Sequence, residues 1–392
     1  MKSLFSRKNK SRNLYILYLL GMVLAIANAL PAYIQSNYLG SLFSITWISI
    51  FFLVANLAAV IAIIFYPKII SKTGNSVSTE TVLLLFIVSL LGLSVARNIW
   101  GILLSFIALS VSTNLIWINM DILVEKFSDD ASTGTTRTIY FTAINLGWII
   151  APALSSFLIT GGNYYWVFLA AAIFLVPFFA LLIGYRQRFK DSRKYRTDST
   201  RKTLASFIND PDLRGAYMLS LLLNIFYSSA VVYIPIYLHQ HLGFAWTTLG
   251  LMFSIMLIPF ILFEIPAGYI ADKKIGEKEL LATGLTIVII SLFFFFTYRV
   301  PDALWWGALL FMSRIGAALI EAMRESYFFK KVGASDIPLI NFFRTTAPLG
   351  YLIGTGMAAL VFLFYPLQYL FIFVALAMAS GYIFLHGMAD SR

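Results

Sequence analysis

The chain has no cysteine among its 392 residues. That excludes disulfides, thiolate chemistry and any cysteine-held metal. Histidine is almost as scarce, with three scattered copies, so the clustered His, Asp, Glu or Ser site of a membrane-embedded enzyme is not in evidence. Charged residues make up only 12%, against about 25% in a soluble domain. No glycine-rich nucleotide loop is present, which argues against ATP hydrolysis. No cofactor is implied. What the chain does have is apolar length: 60% hydrophobic residues and a mean hydropathy of +0.83.

A spanning helix needs about 20 mostly apolar residues. Twelve segments qualify: 13–36, 42–66, 79–96, 99–121, 136–160, 163–184, 213–238, 245–270, 279–298, 302–324, 338–363 and 365–388. They are too long and too uniformly apolar for barrel strands. Helices satisfy their own backbone hydrogen bonds in lipid, so the expected fold class is an all-α membrane protein of twelve transmembrane helices.

Basic residues give the orientation. Twenty-six of the 29 Lys and Arg lie on one set of alternating gaps, or at the segment ends beside them. The opposite gaps carry Arg97 and Arg299, and Arg314 sits inside a segment. Lys and Arg near spanning segments stay cytoplasmic, which places both termini and the loops 67–78, 122–135, 185–212, 271–278 and 325–337 inside. The net charge of +11 is thereby explained by loops that face anionic lipid, with no nucleic-acid partner. The basic start followed by an apolar run to Ala27-Asn28-Ala29 resembles a signal peptide. Segment 1 has a counterpart in the second half, so it is expected to stay with the fold.

The halves repeat at an offset near 203 residues. Leu39-Gly40 matches Leu242-Gly243, Ala131-Ser132 matches Ala334-Ser335, and Leu146-Gly147 matches Leu349-Gly350. The polar, basic stretch 185–212 separates six segments from six and reads as a linker, with a short surface helix around Lys202–Ile208. The expected domains are 1–184 and 213–392. Internal repeats of membrane helices mark transporters, where one repeat rocks against the other around a midplane site.

Charges inside a membrane are expensive and usually functional. On segment 10, Arg314, Glu321 and Glu325 fall within about 20° of one stripe at 100° per residue. Glu264 on segment 8 and Arg344 on segment 11 lie in the same leaflet as the two acids. The other reading of this set is a structural ion-pair lattice. Segment 4 carries a milder stripe of Asn114, Trp117, Asp121 and Glu125. Uncharged polar residues mark a candidate cavity: Asn28 and Tyr33 beside Pro31, Asn56, and Asn224, Tyr227 and Tyr233 before Pro235.

Twelve segments, a 6+6 repeat and a basic central loop together resemble the major facilitator superfamily over nearly the whole chain. The local motif is Gly268-Tyr-Ile-Ala-Asp272-Lys273-Lys274-Ile-Gly276-Glu-Lys278, similar to the family's cytoplasmic loop motif with one extra residue before Gly276. The first copy, Pro67-Lys68-Ile-Ile-Ser71-Lys72-Thr-Gly74, has lost the acid. Segment 5 carries Gly147-Trp-Ile-Ile-Ala-Pro152-Ala-Leu-Ser155-Ser156, which looks like a degraded form of a glycine- and proline-containing motif of the family's drug/proton antiporters. A packing seam is the other reading of that stretch.

The resemblance implies that segments 1, 4, 7 and 10 line the central path. It makes Asn28, Tyr33, Asn56, Asn114, Trp117, Asn224, Tyr227 and Arg314 the substrate-binding candidates, and Glu264 and Glu321 the coupling candidates. Gly268, Asp272, Gly276, Gly74, Arg137 and Arg344 are the gating candidates, with Asp272 expected to face the start of segment 5 near Arg137. The expected function is secondary active transport of a small molecule, as proton-coupled efflux of a lipophilic or weakly anionic compound by a monomer in the cytoplasmic membrane. Proton-coupled uptake of a metabolite is the alternative. A membrane enzyme or a non-transporting receptor is the rival from another class.

Overall fold

The computed structural model describes residues 2–127, 133–189, 200–332 and 337–389, of which 2–12, 125, 126, 133–138, 188, 189, 200, 265, 272 and 337 are described by their backbone alone. Among these, eleven helices are long and apolar enough to cross a membrane. The remaining expected segment, the eleventh, is two helices end to end, Ile337–Arg344 and Thr346–Val361. Pro348 causes the break, because it has no N–H for the carbonyl four residues back. Beside the break, the hydroxyls of Thr345 and Thr346 donate to the carbonyls of Phe342 and Phe343 at 2.6 and 2.8 Å.

The expected inside loops prove much shorter than the polar sequence suggests. Segment 2 runs as one helix, Ile45–Thr73, and segment 3 starts at Asn75. Segment 2 is therefore 29 residues long, about 43 Å, and overshoots a bilayer core of about 30 Å. Its polar end, Pro67–Thr73, is helix beyond the apolar zone rather than loop. Segment 10 likewise continues to Lys331, seven residues past its expected end.

The two halves share one joint. Gly74 (φ 77°, ψ 157°) and Gly276 (φ 88°, ψ 165°) each stand alone between two helices in nearly the same conformation. That region of backbone space is essentially restricted to glycine. In the first half the Gly74 N–H bonds Ile70 O, four residues back; in the second, the Gly276 N–H bonds Ala271 O, five back. The extra residue of the second motif is thus taken up as a π-helical turn, Ala271–Ile275, the usual form of a one-residue insertion in a helix. Gly74→Ala and Gly276→Ala are each expected to lower stability by about 1–3 kcal/mol. Thermal unfolding of the purified variants checks this, and an unchanged midpoint would contradict the joint's geometry.

A second repeated feature is the contact between the first and fifth segment of each half. A Cβ on Gly147 would sit 2.8 Å from Met22 O on segment 1. Ser155, two turns on, donates to Leu30 O at 2.5 Å. In the second half Gly350 abuts Asn224 and Gly354 abuts Ser228 on segment 7. Small residues let helix backbones approach closely, so the segment-5 pattern acts as a packing seam present in both halves.

By packing, the chain forms two compact units: Met1–Ile34 with Ile61–Tyr195, and Gln35–Val60 with Arg196–Arg392. Sequence order alone assigns Gln35–Val60 to the first half, yet it packs within the second unit. Ser49 Oγ and Tyr233 Oη lie 2.7 Å apart, and Gln240 donates to Asn37 Oδ1 at 3.2 Å. Segment 1 breaks after Pro31, between Ala32 and Gln35. Segment 7 switches to π-helix at Ser229–Tyr233, just before Pro235. The expected pair Ala131-Ser132 and Ala334-Ser335 lies outside the described residues.

Candidate functional site

The charged residues of the second unit form a ladder on segment 10, Ala303–Lys331. Arg314 is its inner rung, with 1% of its surface exposed. Its guanidinium carbon lies 5.2 Å from the ring centre of Phe226 and 5.9 Å from that of Tyr227, both on segment 7. Aromatic faces attract a cation within about 6 Å, and this is the charge's main compensation: Nη1 is buried with no hydrogen-bond partner among the described residues. Among the described residues the cation thus faces π-systems and no carboxylate, which leaves its charge only partly compensated.

Tyr227 turns to the next rung. Its hydroxyl donates to Glu321 Oε2 at 2.5 Å, while its ring contacts Arg314. The other oxygen of Glu321 lies 3.8 Å from Arg324 Nη2. Arg324, 6% exposed, also meets Glu325 at 3.5 Å, donates to Ser220 Oγ on segment 7, and lies over the Phe343 ring at 5.6 Å. Glu325 is completed by a two-pronged contact from Arg344, at 2.6 and 3.3 Å. Such fork-on-fork pairs are the strong form of the Arg–carboxylate bond.

Glu264, on segment 8, is half-buried. Its charged neighbours are Glu321 and Glu325. The set thus holds three guanidinium groups and three carboxyls. Arg324 and Arg344 are paired to acids, and Arg314 is held by rings.

Tyr227, Arg314, Glu321, Glu264 and Arg344 are therefore brought together as one network within the second unit. The candidate asparagines are not part of it. Asn56, Asn114 and Asn224 each donate from Nδ2 to the carbonyl four residues back in their own helix, at 2.7, 2.9 and 2.9 Å. Half of each amide is thereby used locally. In the first unit, Asn28 and Trp117 are half-buried, and Tyr33 is buried with its ring edge-on to Trp148 at 6.5 Å. Gly268, Gly74 and Gly276 sit at or beside the joints described above. The side chains of Asp272 and Arg137 lie outside the described residues.

Sequence reading missed two features. Arg324, the last residue of segment 10 as drawn, reads only as one of the basic residues at the inside end; its spacing of three from Glu321 was the available signal. In the first unit, the Tyr66 hydroxyl and the Asn119 side-chain amide form a buried pair at 2.9 Å, with nothing in either residue's neighbourhood to flag it. No cluster of His, Asp and Glu suited to a metal occurs among the described residues.

Residues 14–337 match the family described as Major Facilitator Superfamily. The chain belongs to the major facilitator superfamily. No curated protein sequence matches it significantly. Among solved structures, it is similar to a POT family transporter crystallised in complex with 5-aminolevulinic acid, with a TM-score of 0.73 and 15% identity over 96% of both chains. At that identity the likeness is one of fold. This superfamily member is a multi-pass membrane protein built as a secondary transporter, and the family's function fits a chain that is not an enzyme.

Proposed function

We propose that this superfamily member is a proton-coupled carrier of a lipophilic or weakly anionic small molecule, with Arg314 as the substrate's cation and Glu321 as the proton-handling acid. One observation carries the reading: Tyr227 touches both. Its ring flanks Arg314 and its hydroxyl holds Glu321. A proton arriving on Glu321 changes what that hydroxyl can donate to, and so disturbs the aromatic cradle of Arg314. In the other direction, an anionic group reaching Arg314 supplies the counter-charge that the rings do not. Arg314 and Glu321 are seven residues apart on one helix, about 10 Å along its axis, so Tyr227 or a substrate is needed to link them. The reading is supported by the family's transport role.

The segment-5 pattern that pointed to export recurs as the same seam in both halves, so it reflects packing rather than direction. Uptake therefore stands beside export as a second reading. Proteoliposomes with an imposed pH gradient of either sign, tested with a panel of labelled aromatic carboxylates, separate the two.

Orientation follows from the basic residues and is part of the same proposal. Both termini and the linker face the cytoplasm, and His241 faces outward. The cysteine-free chain makes this directly testable: in intact cells, an impermeant thiol reagent is expected to label His241→Cys and spare Asp198→Cys. Labelling at 198 and not 241 would invert the topology.

A further inference from the structure

The linker contains a helix, Thr200–Asn209, that none of the transport argument uses. Its Phe207 is buried in an aromatic group formed by Tyr217, Phe328 and Phe342, with ring centres 5.3, 6.3 and 4.9 Å away. Thr203, on the same face, is also buried. One face of the helix is thus fixed to the second unit.

A neighbouring flank is apolar and uncovered. Leu204 is 44% exposed and Ile208 56%. At 100° per residue they lie about 40° apart, with Arg201 about 20° beyond Ile208. Arg214, the next basic residue, donates to Ile208 O at 3.0 Å and so sits at this flank's end. The nearby acid, Asp210, is occupied in capping the following helix through the N–H groups of Asp212 and Leu213. That helix starts at Pro211 and is the spanning segment 7. The linker helix ends two residues before it, which puts Leu204 and Ile208 at the depth where a span leaves the bilayer.

Exposed leucine and isoleucine flanked by arginine, at the mouth of a spanning helix, match a helix lying in the membrane interface. Water would leave the two side chains unsatisfied, while a lipid leaflet covers them and offers phosphates to the guanidinium groups. We propose that the Arg201–Leu204–Ile208 flank docks on the anionic leaflet at the basic end of the protein, with Leu204 and Ile208 at the acyl boundary and Arg201 and Arg214 on phospholipid phosphates. The linker is thereby tied to the bilayer as well as to the second unit.

The test uses full-length protein carrying single spin-labelled cysteines at 204, 208 or 206, in vesicles of phosphatidylcholine with or without phosphatidylglycerol. Labels at 204 and 208 are expected to collide with oxygen more than with an aqueous nickel chelate, more so with phosphatidylglycerol, and the label at 206 the reverse. Arg201→Gln in the 208 background is expected to lower the docked-to-undocked ratio about fivefold in phosphatidylglycerol, the effect of one basic residue at an anionic surface. Inorganic phosphate added to phosphatidylcholine vesicles should leave the labels unchanged. Labels at 204 and 208 as aqueous as that at 206, or burial indifferent to phosphatidylglycerol, would overturn the proposal.

Discussion

Glu321→Gln is expected to abolish proton-driven accumulation while leaving substrate counterflow in place. Glutamine keeps the size of the side chain and still accepts from the Tyr227 hydroxyl, which sits 2.5 Å from Glu321 Oε2, but it carries no proton between the two sides. The contact to Arg324 is long, 3.8 Å, and Glu321 is about a third exposed, so neutralising it should disturb the fold little. For one coupled proton, each imposed pH unit is worth about 1.4 kcal/mol, or about tenfold in accumulation. The variant should lose that dependence completely and equilibrate substrate at any gradient. Counterflow of a labelled aromatic carboxylate, measured without a gradient, shows whether binding and exchange survive. Full gradient-driven transport in Glu321→Gln would remove this residue from coupling and turn attention to Glu264.

Arg314 and Arg324 are expected to separate sharply when each is replaced by alanine. Arg324 joins two acids, a serine and an aromatic ring. Its removal leaves Glu321 with the Tyr227 hydroxyl and takes one guanidinium from Glu325, which keeps Arg344. Breaking a buried pair by deleting one partner costs about 3–5 kcal/mol. The lower end applies here, because the Glu321 and Glu325 side chains are 36% and 24% exposed. Arg324→Ala should therefore unfold at a markedly lower temperature or fail to reach the membrane, and Arg324→Lys should recover part of the loss. Among the described residues no acid lies within ion-pair distance of Arg314, so Arg314→Ala breaks none of the described pairs; it forfeits two cation–π contacts and relieves a buried charge. It should fold normally and lose both counterflow and gradient-driven transport. If Arg314→Ala instead loses stability as Arg324→Ala does, Arg314 belongs to a structural lattice.

The fold was legible because membrane physics writes long signals. Apolar runs of about 20 residues and basic residues on alternate gaps place the spans, and the Gly147/Gly350 match placed the repeat. What was not legible is local. Segment ends drawn where polarity begins missed that helix continues past the apolar zone, as at Pro67–Thr73 and Glu325–Lys331. Arg324, at the end of segment 10 as drawn, reads as one more basic residue of the inside end, although it meets two acids, a serine and a ring. The extra residue before Gly276 was visible as an irregularity, but only the bond from the Gly276 N–H to Ala271 O identifies it as a π-turn. Of the site, the Arg314–Glu321 stripe was readable from helical spacing, because both residues sit on one segment. Tyr227 was visible only as a cavity candidate. Its bridging role depends on how segment 7 packs against segment 10, which no spacing within either segment reveals.

The central claim is that Tyr227 couples Arg314 to Glu321, and one measurement addresses it most directly. Proteoliposomes loaded with a pH-sensitive dye are challenged with the carboxylate panel, and luminal pH is followed in wild type, Tyr227→Phe and Glu321→Gln, alongside counterflow. The wild type should change luminal pH when a transported carboxylate is added. Glu321→Gln should show none of that change, and Tyr227→Phe, which keeps the ring on Arg314 but loses the hydroxyl on Glu321, should lose most of it, with counterflow preserved in both. A substrate-driven pH change of wild-type size in Tyr227→Phe and Glu321→Gln would contradict the account.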